Sequence, residues 1–471
     1  MKRAICLLFS IVFILSFCAC HRDGKGNLDN KGGSEVSSKP INIPYSREEG
    51  LNPFTCRSLI NYCIMPLLYD SLYKIDKSYY PTPSLAVSYE QVNLTFNVKI
   101  DTSRKFSNGQ FITPEDVVYS FRAAKQSRYY GSMLRNVSTC VTLSEDEVQF
   151  VTTSPNTYAA ADLIFPIIPD GSDDIPASSG PYIYKTTTDG GTLTRNKYYP
   201  GSDYATTTIN LINTTDTSSL NMGLVIGTID AWYDEMPTGE SKRIASGAAQ
   251  VDLNNLVYLA FNQANYFGNE KLRQAIAIAL DKQQLLESGY EGYGQATNVP
   301  FNPQWYAADG VAWEAPMSVD EAKEYITSTL DKYTVTILIT SGNGFRLKCA
   351  QRIGDQLAEL GINSKVDVAD RELFDEALEN GRYDMYIGEY KMSNDMNFAP
   401  LLWIDEYVQA RAFNMLAGAA TPSEFMVDFT ATQPFVPICI RYGVVSYAKS
   451  LQGGVEPLPN IPFANLPQWY K

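Results

Sequence analysis

The 471-residue chain carries 38 Lys and Arg against 52 Asp and Glu, a formal net charge of −14, so its overall field repels nucleic acid and anionic lipid surfaces. Tyrosine is abundant, at 31 residues, and without the Lys/Arg clusters of a phosphate-binding face that wealth suits a wet cleft or an exterior surface. One histidine, His21, serves the whole sequence, which removes Ser-His-Asp and Cys-His nucleophile pairs, His-ligated zinc and the usual neutral-pH general base from any folded body downstream.

Lys2 and Arg3 precede an uncharged stretch from Ala4 to Cys20, a short positive segment followed by an apolar one that is brief for a membrane span of about 20 residues. That is a secretory signal pattern, and no later stretch is long and apolar enough to cross a bilayer. Cleavage wants a small residue just before the cut; Ala19 supplies one before Cys20, whereas Phe17 before Cys18 does not. The pattern resembles a bacterial lipobox, which implies a diacylglyceryl thioether on Cys20 and loss of residues 1–19, with Phe17 departing from the usual Leu. Cys18 as the lipidated residue, an ordinary non-lipidated signal and a weak membrane anchor are the other readings. Residues 20–40 then form a flexible tether, rich in Gly, Ser, Asn and charge, with a reach of about 25 Å. Cys56, Cys63, Cys140, Cys349 and Cys439 are an odd set without the short spacings of a disulfide scaffold or zinc site, and are expected as small buried hydrophobes.

The body opens with a short strand at INIPY, a turn at Asn52-Pro53, and a buried helix over RSLINYCIMPLLYDSLY despite Pro66. LTFNVKI alternates as a half-buried strand, and Asn108-Gly109 marks a hairpin turn. Thr113 is placed to cap a helix, with Pro114 at its first position, Glu115 and Asp116 in its first turn, and Val117, Val118 and Phe121 facing inward. EVQFVTTSP reads as a strand, and residues 178–199 as a strand, a Gly190-Gly191 turn and a return strand; IGTIDAWYDEMP follows a short helix. YLAFNQ is a buried strand, and NEKLRQAIAIALDKQQLLES one long amphipathic helix capped by Asn269. From YTVTILIT to YDMYIGEY the segments alternate as β-α-β-α-β, which implies a parallel sheet covered by helices.

Five stretches, LNPF…LLYDSLYKID, FSNGQFITPEDVVYSF, SSGPYIY…LTRNKYY, YLAFNQANYFGNEKLRQAIAIALDKQQLL and IGDQLAELGI…GRYDMYI, resemble in their order the extracellular solute-binding proteins of ABC importers, in particular the oligopeptide, dipeptide and nickel-binding class. The resemblance implies an α/β, two-lobed periplasmic-binding-protein-like fold of class II, with mixed sheets flanked by helices and an extra subdomain. Lobe I would comprise 41–68, 178–260 and 437–471, the inserted subdomain 69–177 and lobe II 261–436. It implies a monomeric, non-catalytic receptor without cofactor, held to the membrane by lipid on Cys20 on the outer face of the cell, capturing a small solute such as a peptide and passing it to a membrane permease.

Peptide-binding relatives hold the ligand's amino group with an aspartate shortly after the YD strand. Here that stretch is YDMYIGEYKMSNDMNFAP; counting from Asp384 puts Ser393 at the amino-binding position, and counting back from Asp395 puts Met392 there. Neither is acidic, so recognition of a free amino terminus is in doubt, while Asp395 matches a later acidic residue of the family pattern. Alternation sends Ile387, Glu389, Lys391 and Ser393 to one side of the strand, so Glu389 and Lys391 could offer the ligand a charge pair or be a solvated edge pair. Arg57 matches a cleft-facing loop of the family, and Trp232 and Trp403 could stack on a ligand or sit in a core. Asp173-Asp174 reads as loop and carries no chemistry. SGNGFR at 341–346 lacks the Gly-Lys-Ser/Thr of a phosphate loop and is expected to cap the following helix. Between Trp403 and Phe435 the chain is shorter than the family's usual length. Two other classes compete with the receptor reading: a surface hydrolase, which would need paired carboxylates, and an adhesion or sensing lipoprotein. Nickel is disfavoured, because no folded histidine remains to ligate it.

Overall fold

The computed structural model describes residues 39–172, 174–188, 190–201, 204–240 and 246–471. The signal segment, Cys20, His21, nearly all of the tether and Asp173 lie outside the described residues. From residue 39 onward the described residues form one compact unit.

Two long strands organise it. Gly247–Phe261 and Phe435–Tyr447, 15 and 13 residues, run antiparallel beside each other for almost their full length. Each changes core midway. Val251, Leu253 and Val445 belong to a core built with Ile41, Leu68, Tyr182 and Leu193, whereas Val257, Leu259, Phe261, Val436 and Ile438 belong to a second core with Leu272, Ile276, Phe345 and Ile353. The register slips between Asp252 and Asn255, and Asn254 takes a left-handed φ of 52°, a bulge that bends the strand where it leaves one core for the next. On the opposite face Leu256, Tyr258, Ala260 and Phe435 join a third core with Trp305, Phe398 and Phe425, which also takes in Ile75 and Tyr79.

The first core covers a four-stranded sheet in the order Ile41–Tyr45, Thr208–Asn213, Gly190–Arg195, Tyr182–Thr187, with the first pair parallel. A second four-stranded sheet, Ala86–Val92, Thr95–Ile100, Glu147–Thr152 and Val137–Ser144, is antiparallel throughout and carries the helix Pro114–Gln126. Thr113 and Asp116 form a reciprocal capping box at its start, and Val117, Val118 and Phe121 are buried. The largest sheet orders Ala231–Asp234, Phe435–Tyr447, Gly247–Phe261, Met385–Lys391, Thr334–Thr340 and Asn363–Ala369, with Gly294–Ala296 also on Phe435–Tyr447. Thr334–Thr340 pairs in parallel with both of its neighbours, as the β-α-β-α-β pattern requires.

Three local expectations are corrected. The helix expected around Pro66 is two four-residue turns, Leu59–Tyr62 and Met65–Leu68, because proline sits at the start of the second, where its missing N–H costs nothing. The long helix after Asn269 is two, Glu270–Ala279 and Lys282–Gly289, with Leu280 extended and the Asp281 side chain capping the second. Gly190 and Gly191 start the return strand and are not its turn: a side chain at Gly190 would strike the Leu211 carbonyl oxygen at 2.2 Å, and one at Gly191 the Tyr184 ring at 2.3 Å. All five expected buried cysteines are buried and free, and burial pushes the Cys140 and Cys349 thiols up to about 12, which makes them poor nucleophiles at neutral pH.

Candidate functional site

A charged cluster stands where the long strands pass between cores. Glu389 lies on Met385–Lys391 and Arg441 on Phe435–Tyr447, the two strands that flank Gly247–Phe261. Arg441 Nε donates to Glu389 Oε1 at 2.7 Å and its Nη1 to the Glu235 carbonyl at 2.5 Å. Asn255, on the strand between, donates through Nδ2 to Glu389 Oε1 at 2.5 Å, and Arg346 Nη2 reaches Glu389 Oε2 at 3.4 Å. Arg346 is delivered by the loop 341–346, whose Asn343 caps the helix Gly344–Glu359 as expected by accepting from the Arg346 backbone N–H. Burial acts to raise the Glu389 pKa, but Arg441, Asn255 and Arg346 outweigh it and hold the carboxylate below its ordinary range.

The cluster is not closed on itself. Arg346 Nε and Asn255 Oδ1 are buried, and neither meets a partner among the described residues, a donor and an acceptor on two side chains that bond Glu389, although buried polar groups are normally paired. Lys391 donates to the Leu253 carbonyl and to Asn460 Oδ1. It presents surface to solvent, yet desolvation, opposed by Glu235 and Asp252, lowers its pKa. Glu235 also interacts electrostatically with Tyr62, Tyr129 and Tyr233, and the Tyr62 and Tyr129 rings stack at 4.3 Å.

Of the residues singled out in the sequence, Glu389 and Lys391 are therefore in this cluster. They do not pair with each other: Glu389 is held by Arg441, Asn255 and Arg346, and Lys391, exposed at the end of its strand, bonds the Leu253 carbonyl and Asn460. Ser393 and Asp395 form a separate buried group: Asp395 is fully buried and accepts from the Ser393 hydroxyl, from the Asn397 N–H at 3.0 Å and from Asn156 Nδ2 at 2.6 Å. Asp162 stands beside it, accepting from the Asn394 N–H at 2.9 Å; burial and the Asp395 carboxylate push its pKa well up. Trp232 is 5% exposed, in a small core with Leu220, Leu224 and Ile229. Trp403 is 69% exposed and lines a cavity of its own. Arg57 is exposed; its backbone N–H donates to Glu49 and its carbonyl accepts from Tyr129.

Arg441, Arg346 and Asn255 were missed. Arg441 had a signal, as the lone charge in the apolar run FVPICIRYGVVSY, where an arginine needs a buried partner. Asn255 had none, because strand register alone brings it to Glu389, and Arg346 had none, because it comes from the first turn of a helix packed beside the sheet.

Two cores sharing a pair of crossing strands, with a mixed-sign cluster at the crossing, define a two-lobed binding protein of the periplasmic type. Residues 80–406 match the model of the bacterial extracellular solute-binding proteins, family 5, and the chain belongs to that family. It is 24% identical over 381 residues to the oligopeptide-binding protein AppA of Bacillus subtilis, covering 68% of this chain and 66% of that protein, and 24% identical over 336 residues to heme-binding protein A of Haemophilus influenzae, covering 60% and 61%. The chain thus spans a little under two thirds of the length of these relatives. Among solved structures, the ABC-transporter substrate-binding protein CtaP of Listeria monocytogenes superposes with a TM-score of 0.70 at 20% identity over 92% of this chain and 99% of that one. AppA of Bacillus subtilis, in complex with a nonapeptide, gives 0.56 at 17% over 92% and 98%.

Proposed function

We propose that this chain is the lipid-anchored receptor of an ABC importer, capturing an oligopeptide or similar zwitterionic solute at the crossing of the two long strands and delivering it to a membrane permease. The lobes in this reading are 41–68 with 178–260 and 437–471, and 261–436, with 69–177 as the inserted subdomain. Cys20 carries the lipid on the outer face of the cell.

One observation carries the reading: around Glu389 the chain gathers both signs of charge, and two side chains that bond its carboxylate each keep a buried atom without a partner among the described residues, the donor Arg346 Nε and the acceptor Asn255 Oδ1. Backbone amides and charged ends of a peptide supply both complements, so such a ligand leaves fewer buried groups unpaired than an apolar one would. Lobe closure over the solute then stabilises the bound state through contacts that the open state lacks. Native mass spectrometry of the soluble body, residues 40–471, identifies whatever solute copurifies. A peptide mixture lost on Arg346→Ala supports the proposal; a single sugar or a metal complex in its place overturns it.

A further inference from the structure

The exposed Trp403 marks a second place on the molecule. It stands at the mouth of a cavity of about 230 Å³ whose walls include Tyr258, Tyr386 and Phe435, with Glu379 and Asp405 also in the lining. Phe435 is 2% exposed and Tyr258 8%, so the floor is rigid core. Tyr258, Tyr386 and Phe435 are fixed against one another, with ring centroids 6.1 Å and 5.2 Å apart across Tyr258. No Lys, Arg or His lines the cavity. The guanidinium of Arg273, which feels Asp405 electrostatically, is spent on the carbonyls of Phe267, Gly268, Thr432 and Gln433. Asp405 uses Oδ1 to cap the following helix through the Val408 N–H. Glu379 is exposed at the rim.

Aromatic rings carry negative quadrupole potential on their faces, and here Trp403, Tyr258, Tyr386 and Phe435 line one cavity with two carboxylates and no basic side chain in the lining, Arg273 acting on Asp405 from outside it. We propose that this cavity is a binding site for a small organic cation with an apolar or aromatic body, an amine or quaternary ammonium, separate from the strand-crossing cluster. The two places lie on opposite faces of the sheet: Tyr258 and Tyr386, in the cavity wall, are each three residues along their strands from Asn255 and Glu389, an odd offset that turns the side chains to the other face, about 10 Å along the chain. Apolar walls take up the body of the ligand while Trp403, Glu379 and Asp405 select its charge. A neutral molecule of the same shape loses that selection, and an anion is repelled.

The test is calorimetric titration of the soluble body with phenethylammonium and with 2-phenylethanol, its uncharged analogue, at pH 7. One saturable site is expected for the amine, with the alcohol weaker by about tenfold or more. Trp403→Ala and the double variant Glu379→Gln/Asp405→Asn should each weaken the amine by about fivefold or more. Neither is expected to disturb folding, since Trp403 and Glu379 are exposed and Asn caps a helix as well as Asp does; circular dichroism checks this. Equal binding of amine and alcohol, amine binding that both variants leave unchanged, or no saturable binding of the amine would each overturn the proposal.

Discussion

Glu389 and Arg441 meet at 2.7 Å across an intervening strand, and the residue between them, Asn255, bonds the same carboxylate oxygen. Three strands are thereby tied at the point where the chain passes from one core to the next. Cutting one partner leaves a charge with too little solvation, whereas removing both is tolerated better. Arg441→Met is expected to lower stability by about 3 kcal/mol, and Glu389→Gln on top of it to restore much of the loss. Urea unfolding of the single and double variants measures both. A double variant as unstable as the sum of the singles would show that the pair does not act as a unit.

The Asp162–Asp395 contact makes a prediction with a definite sign. Burial first, and the Asp395 carboxylate second, raise the folded pKa of Asp162 above 3.8, so the native chain keeps a proton that the unfolded chain releases. Its contribution to stability is full below that unfolded value and is lost as pH rises through the folded one. Asp162→Asn holds a neutral side chain at every pH. The difference in melting temperature, variant minus wild type, should therefore grow as pH is raised from 4 to 7. A constant difference would mean that Asp162 is ionised in the native state.

Lys282 offers a chemical readout. Burial pushes its pKa down to about 8; its Nζ bonds the Ala277 carbonyl at 2.6 Å and lies 5.0 Å from the Trp313 ring, beside a cavity of about 530 Å³. Near pH 8 about half of it is the free amine, against well under one per cent for a lysine at the ordinary value. Brief acetylation at pH 8 with peptide mapping should find Lys282 modified ahead of surface lysines. Protection of Lys282 while surface lysines react would sink the assignment. By linkage the native state is favoured as pH rises from about 8 toward the ordinary lysine range, because there the unfolded chain binds the extra proton.

How far the chain could be read from its residues depended on whether the cause was local. Helix starts were legible where one side chain decides them, as at Thr113 and Asn269, and the parallel sheet followed from alternation of segments. The breaks at Pro66 and at Leu280-Asp281 were not foreseen, because apolar periodicity continues through both. At the site, Glu389 and Lys391 were legible from alternation along one strand. Their partners were not, since Arg441 and Asn255 come from strands whose register is set by two separate cores. Trp403 and Trp232 look alike in sequence and differ in the fold only through what covers them.

Gly180 shows how tightly a short motif can be held. In SSGPY the Gly180 N–H donates to the Leu68 carbonyl at 2.8 Å, the Ser179 hydroxyl accepts from the Asp70 N–H at 2.9 Å, and the Gly180 carbonyl accepts from Asn196 at 2.9 Å. The motif thus clamps residues 68–70 to residues 178–181, at the two ends of the segment proposed as inserted. A Cβ on Gly180 would lie 2.7 Å from the Leu68 carbonyl carbon and from the Tyr69 nitrogen, and backbone cannot swing aside as a side chain can. Gly180→Ala must part these two strands of chain or distort them, at about 2–4 kcal/mol. Thermal unfolding of Gly180→Ala beside wild type tests this. A variant melting within a degree of wild type would show that the two segments are not held at this distance.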